Sequence, residues 1–337
     1  MPPSARIPTI IIGITCLGLG FLIGQRLATP EACCAETLPV VVRQSGYRLI
    51  NPLLECEVGD FASLRQKYIP FEKVAKQRIL IEVQQANPGL ELAVYVRDLN
   101  NGPWFGINER DLFSPASLLK VPVLMSYLKA AESDPAVLTR ELMYDGPKAF
   151  FAQQIAAVEP IRPGTVYPVG ELLFRMIVNS DNDAKDLLKS ALPTSTLETV
   201  YRDLGVEVPG LRSASDYMSV KDYASFFRIL YNASYLDRER SEQALELMAK
   251  TRFRDGIIAG VPANRTVAHK FGERITLQAG RPVAQLHDCG IIYHPRAPYL
   301  LCVMTRGPEF SRLPPVIAAV SKIVYQEIDQ AHPAEGK

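Results

Sequence analysis

Histidine is scarce in this chain, and its copies are too scattered to form a metal cluster. His269, His287, His294 and His332 include no close pair on one helix, and no Cys-x-x-Cys occurs. Neither a zinc site nor a redox dithiol is therefore expected, and no cofactor is assigned. Gly-x-Ser-x-Gly is missing, which disfavours a Ser-His-Asp hydrolase built on a nucleophile elbow. There is no P-loop, no dinucleotide fingerprint and no internal repeat. A net charge of +1 leaves no basic excess for a nucleic-acid partner. His287 beside Asp288 reads as a pair on the surface of a strand.

One long apolar run is present. Ile7 to Gly24 carries no charge, is preceded by Arg6 and the amino terminus, and is followed by Gln25 and Arg26. It is longer than a usual signal-peptide core, just long enough to span a bilayer, and no clear small-x-small cleavage site follows it. The expectation is an uncleaved anchor over residues 1–26, with the preceding charges held in the cytoplasm and the rest of the chain outside. Residues 27–60 mix charge with proline and read as an extracytoplasmic tether plus a segment that lies on the main domain, in which Leu38 to Arg43 suits a short strand. The body is expected over residues 61–330, followed by a tail at 331–337. Six cysteines leave the redox question open: Cys16 lies in the apolar run, Cys33, Cys34 and Cys56 in the tether, and Cys289 and Cys302 on adjacent strands. A one-residue change of hairpin register decides whether the last two share a face.

Within the body, Ser117 is followed three residues later by Lys120. On a helix that step puts both side chains on one face, so the amine can reach the hydroxyl. A lysine activates a serine only when burial or a neighbouring cation lowers its pKa, and Leu118, Leu119, Val121 and Val123 supply apolar surroundings. The same spacing recurs as Ser126 and Lys129. Ser117 stands after Pro115 at a helix start, where free backbone N–H groups can hold an oxyanion, whereas Ser126 is mid-helix. Pro122 predicts an irregular first turn, because its ring would clash with the Leu118 carbonyl of a regular one.

Two further motifs follow. Ser180-Asp181-Asn182 lies between a helical stretch from Val169 to Val178 and another beginning near Asp183. Lys270-Phe271-Gly272 lies in an alternating run from Thr266 to Glu273, ahead of strand-like runs at Val283 to Tyr293 and Tyr299 to Thr305. In this order the three motifs resemble the class A β-lactamase and penicillin-binding protein superfamily, whose signature is Ser-x-x-Lys, Ser-Asp-Asn and Lys-Thr-Gly. The resemblance covers roughly Phe61 to Gln330. It implies an α+β fold of two lobes, an antiparallel sheet flanked by terminal helices and an all-helical lobe at about 115–254. Phe71 to Gln85 suits the first helix, Leu90 to Arg97 and Trp104 to Asn108 a hairpin, and Pro315 to Gln330 a last helix whose apolar stripe packs on the sheet.

The resemblance further implies roles. Ser117 would be the nucleophile, Lys120 its base or proton relay, and Ser180 the donor to the departing nitrogen. Asn182 would hold a substrate amide, Lys270 would attract a carboxylate and help keep Lys120 neutral, and Gly272 would allow close approach of substrate to its strand. The oxyanion would be held by the N–H groups of Ser117 and Glu273, while Asp181 braces its turn. The implied ligand is a small β-lactam or a peptidoglycan stem peptide.

Two departures bear on this. No Glu-x-x-x-Asn occurs between Gly205 and Met218, where class A β-lactamases carry the glutamate that positions the deacylating water. Glu207 and Asp216 are the carboxylates there, and Asp216 could instead pair with Arg212. Phe271 replaces the threonine of Lys-Thr-Gly, and strand alternation points its ring into the core. Three functions follow: a β-lactam-opening serine hydrolase, a D-alanyl-D-alanine peptidase, or a catalytically silent wall-binding module.

Overall fold

The structure is a computed structural model that describes residues 41–56, 69–100, 102–147, 153–155, 157–206, 216–278 and 280–333. The apolar run 7–24, Glu207 and Arg212 lie outside them. Among the described residues no helix is long and apolar enough to cross a membrane. Val41–Glu55 and Lys67–Lys337 form one compact unit; of the other, Met1–Val40 with Cys56–Gln66, only Cys56 is described.

Strands β1 (Val41–Arg43) and β2 (Leu53–Cys56) pair ahead of helix α1 (Glu72–Arg78). The segment between them packs with the body, as expected of the part of 27–60 that lies on the main domain. Leu49 and Ile50 are buried in the core. The carboxylate of Glu242 accepts the backbone N–H groups of Arg48, Leu49 and Ile50 at 2.9–3.1 Å. A single distant acid thus satisfies three donors of a turn that would otherwise need water.

Helix α1 runs into a wider π-helical turn, Ile79–Gln84, which keeps Ile79 and Val83 buried. Strands β3 (Glu91–Asp98), β4 (Trp104–Ile107), β9 (Val267–Gln278), β10 (Arg281–Ile292) and β11 (Tyr299–Gly307) form one antiparallel sheet in the order β4-β3-β11-β10-β9. Period-2 alternation divides its side chains between two cores. Val94, Leu286 and Val303 pack with α1 and with α8 (Leu313–Ala331), whose stripe of Val316, Ile317, Val320, Ile323, Val324 and Ile328 is buried as expected. Ala93, Tyr95, Cys302 and Met304 face the other way, into the helical lobe.

That lobe contains α2 (Lys120–Ser133), α3 (Val169–Val178), α4 (Asn182–Ala191), α5 (Thr194–Asp203), α6 (Val220–Tyr231) and α7 (Arg238–Ala249), with a hairpin of β6 (Glu141–Tyr144) and β7 (Thr165–Pro168). Two-residue strands β5 (Leu112–Phe113) and β8 (Met218–Ser219) pair and pin the entry to the Ser117 turn. Ser219 caps α6, its hydroxyl accepting the Asp222 N–H at 3.1 Å. Cys289 and Cys302 stand directly opposite each other in β10 and β11, share the lobe-facing side, and are joined by a disulfide.

Candidate active site

Ser117 sits on a single 3-10 turn, Ala116–Leu119, that feeds α2. Pro122 is the reason for the irregular start: having no N–H, it cannot bond the Leu118 carbonyl. The buried hydroxyl of Tyr223 donates to that carbonyl instead, at 3.0 Å. Ala116 is left-handed, with φ 49°. Ser180, at the Ser-Asp-Asn motif, also has a positive φ, of 55°. Non-glycine residues persist there only when their surroundings over-determine them, and such positions concentrate at functional sites.

Asp181 supplies part of that determination. Its carboxylate caps α4 by accepting the N–H groups of Asp183 (2.8 Å) and Ala184 (3.1 Å), and it accepts the N–H of Ile161 from the incoming loop at 3.0 Å. The bracing expected of this residue is therefore present. Asn182 is the first residue of α4 and is half-buried.

Two lysines converge on Ser180. Lys120 Nζ donates to the Ser180 carbonyl (2.6 Å) and to Ser180 Oγ (3.1 Å). Lys270 Nζ, from β9, donates to the same Oγ (3.0 Å) and to the Phe271 carbonyl (2.8 Å). Among the described residues, no hydrogen bond joins Lys120 to Ser117; the amine is turned toward Ser180. Both lysines are completely buried. Burial lowers the Lys120 pKa well below its ordinary value, and the positive charge of Lys270 lowers it further. Burial brings Lys270 down to about 7, against the opposing pull of Asp288 and Glu273. An amine whose charged form is disfavoured, a hydroxyl and a second shifted amine in contact make a proton-transfer chain.

Gly272 has a different neighbour from the one anticipated. A Cβ there would lie 2.8 Å from the Pro115 carbonyl oxygen and 2.9 Å from the Leu118 nitrogen, so the missing side chain admits the Ser117 turn itself against β9. Phe271 is buried in the α8-side core, its ring 4.4 Å from that of Phe253, as alternation requires, and the Lys270 amine lies 4.1 Å from its centroid. Glu273 accepts the N–H groups of Gln154 (3.0 Å) and Ile155 (2.7 Å), and its pKa is raised by burial while those two bonds oppose the rise.

One reading needs correction. His287 is not on the surface: it is fully buried, and its Nε2 lies 2.9 Å from the Ser114 carbonyl. Asp288 points to the opposite face, where it meets His269 Nδ1 at 2.8 Å and accepts the Ile257 N–H at 2.9 Å. Adjacent residues of a strand face opposite ways, so the sequence pair is no spatial pair. Asp216 pairs with Arg306 (2.9 Å) and accepts from Gln285 Nε2 (3.1 Å). The second Ser-x-x-Lys copy is inert in form: Ser126 Oγ donates to the Pro122 carbonyl at 2.9 Å, and Lys129 binds Glu132 and the Tyr235 carbonyl near the surface. Tyr223 had no sequence signal as a site residue, since only the tertiary fold brings it to Leu118.

Comparison with known proteins fits this geometry. No curated protein matches the chain. Among solved structures it is similar to PBP-A, at 23% identity and TM-score 0.63 over 76% of this chain and 96% of that one. It is also similar to a β-lactamase from Chitinophaga pinensis (20%, TM-score 0.65, 76% and 99% covered) and a class A β-lactamase from Mycobacterium abscessus (22%, TM-score 0.62, 75% and 99% covered). These likenesses establish the two-lobed α+β fold. The sequence profile of the β-lactamase enzyme family matches residues 74–328, and the chain belongs to that family.

Proposed function

We propose that the chain is a serine hydrolase that opens β-lactam amides through an acyl-enzyme on Ser117. The observation that carries this reading is the Ser180 hydroxyl held by two buried amines, Lys120 and Lys270. In the acylation step Ser117 Oγ bonds to the amide carbon and gives its proton to neutral Lys120. The N–H groups of Ser117 and Glu273 receive the oxyanion. As the C–N bond breaks, Ser180 passes its proton to the nitrogen and is reprotonated by Lys120, which returns to its neutral form. Lys270 attracts the substrate carboxylate, and Asn182 receives the side-chain amide.

Release of the acyl group is slow in this reading, because the Glu-x-x-x-Asn of class A enzymes is missing between Gly205 and Met218 and Asp216 is engaged by Arg306 and Gln285. The same observation favours a second reading, a D-alanyl-D-alanine peptidase that penicillins trap. A PBP-A variant is known as an acyl-enzyme complex with penicillin G, which supports both. The apolar run at 7–24 would anchor the enzyme in the cell membrane with its site outside, where wall peptides and antibiotics meet it.

Intact-mass measurement of the full chain after incubation with a penicillin tests the proposal. An adduct that is absent in Ser117→Ala supports acyl transfer. Turnover of a chromogenic cephalosporin selects the hydrolase, and a stable adduct with cleavage of a D-alanyl-D-alanine peptide selects the peptidase. Folded protein without any adduct leaves only the silent module.

A further inference from the structure

Ser114, three residues ahead of Ser117, is held at all of its polar atoms by side chains of the sheet. Its N–H donates to Gln285 Oε1 (3.0 Å), its hydroxyl accepts from Arg274 (2.9 Å), and its carbonyl meets His287 Nε2 (2.9 Å). The roles are fixed by the next layer of bonds. The Thr305 N–H donates to His287 Nδ1 at 3.3 Å, so Nε2 carries the proton and donates to Ser114. Gln285 Nε2 donates to Asp216, which orients its Oε1 toward the Ser114 N–H. Arg306 completes the array by binding Asp216 (2.9 Å) and the Leu112 carbonyl (2.7 Å).

The sheet register explains the convergence. Arg274 stands opposite Gln285, and Gly272 opposite His287, so four neighbouring positions on one face make a seat. Gly272 leaves the hollow into which the Ser117 turn fits. Ser114, Gln285 and His287 are all buried, where a broken hydrogen bond is not replaced by water.

We propose that Arg274, Gln285 and His287 are positioning residues for the nucleophile, seating Ser114 so that Ser117 holds a fixed place relative to Ser180 and Lys270. The inference rests on Ser117 being the nucleophile. Because Lys270 and Gly272 are on the strand that forms the seat, the turn and the carboxylate-attracting amine form one rigid piece. Misplacement of reacting groups by about 1 Å costs on the order of 100-fold in rate.

The test uses the full chain and the variants Gln285→Met, His287→Leu and His287→Gln. Stopped-flow acylation by a penicillin separates the acylation rate constant from the dissociation constant of the non-covalent complex. His287→Leu and Gln285→Met are expected to lower the rate constant about 30- to 100-fold with the dissociation constant changed less than about threefold. His287→Gln, which can still donate to Ser114, recovers most of the rate. Hydrogen exchange of the unreacted protein is the second readout: amides of residues 113–119 exchange several-fold faster in the two disruptive variants, while the turn at 179–184 keeps its protection. Wild-type acylation rates, unchanged exchange at 113–119, or a uniform loss of protection across the chain would each overturn the inference. If the wild type forms no adduct on Ser117, the nucleophile reading fails by itself, and exchange still decides whether these side chains hold the turn.

Discussion

The two Ser-x-x-Lys copies, nine residues apart on one stretch of chain, have the same spacing and opposite fates. Ser117 stands on a 3-10 turn with its lysine fully buried, whereas Ser126 bonds back to its own helix and Lys129 is itself exposed. Spacing brings an amine to the vicinity of a hydroxyl. Burial and a neighbouring cation decide whether that amine can accept a proton.

Substitution at matched positions breaks or sharpens the contrast. Lys120→Met is expected to slow acylation by at least about 100-fold, the ordinary contribution of a positioned base. Lys129→Met and Ser126→Ala should leave the rate within about twofold, with stability changed by less than about 1 kcal/mol. Acylation kinetics and urea melts check both, and equal effects at the two copies would erase the distinction.

Gly272→Ala comes next in size. Its Cβ meets the Pro115 carbonyl oxygen and the Leu118 nitrogen of the Ser117 turn, so the turn must shift. Acylation should fall about tenfold to 100-fold while the second copy's surroundings, read by exchange at 124–130, stay as they are. An unaffected rate would mean that the turn has room the structure does not show.

The last effect is pH-dependent. Lys270 titrates near 7, so it is a cation below that pH and neutral above it. In the proposed role of Lys270, attraction for a substrate carboxylate is present at low pH and lost as pH rises through about 7. The dissociation constant of a penicillin should therefore weaken about tenfold between pH 6 and 8, and that of its methyl ester should stay flat. Identical profiles for acid and ester would remove Lys270 from carboxylate binding.

Much of the fold is legible in the chain because it rests on local periodicity: the stripe of α8, the alternation of β9 to β11, and the Pro122 signal for an irregular turn. The motif order gives Ser117, Lys120, Ser180 and Lys270, and the structure gathers Lys120, Ser180 and Lys270 within hydrogen-bond reach. What escapes is whatever depends on partners far away in sequence. His287 looks like a partner of Asp288 until strand alternation separates them. Asp216 finds Arg306 ninety residues on. Gly272 suggests room for a ligand, and the chain's own backbone occupies the space.

The Glu242 clasp on residues 48–50 has a practical meaning for anyone shortening this polypeptide. Starting a recombinant fragment at residue 61 would strip Leu49 and Ile50 from the interior and leave an acid without its three amides. A first residue ahead of Val41 keeps that plug in place.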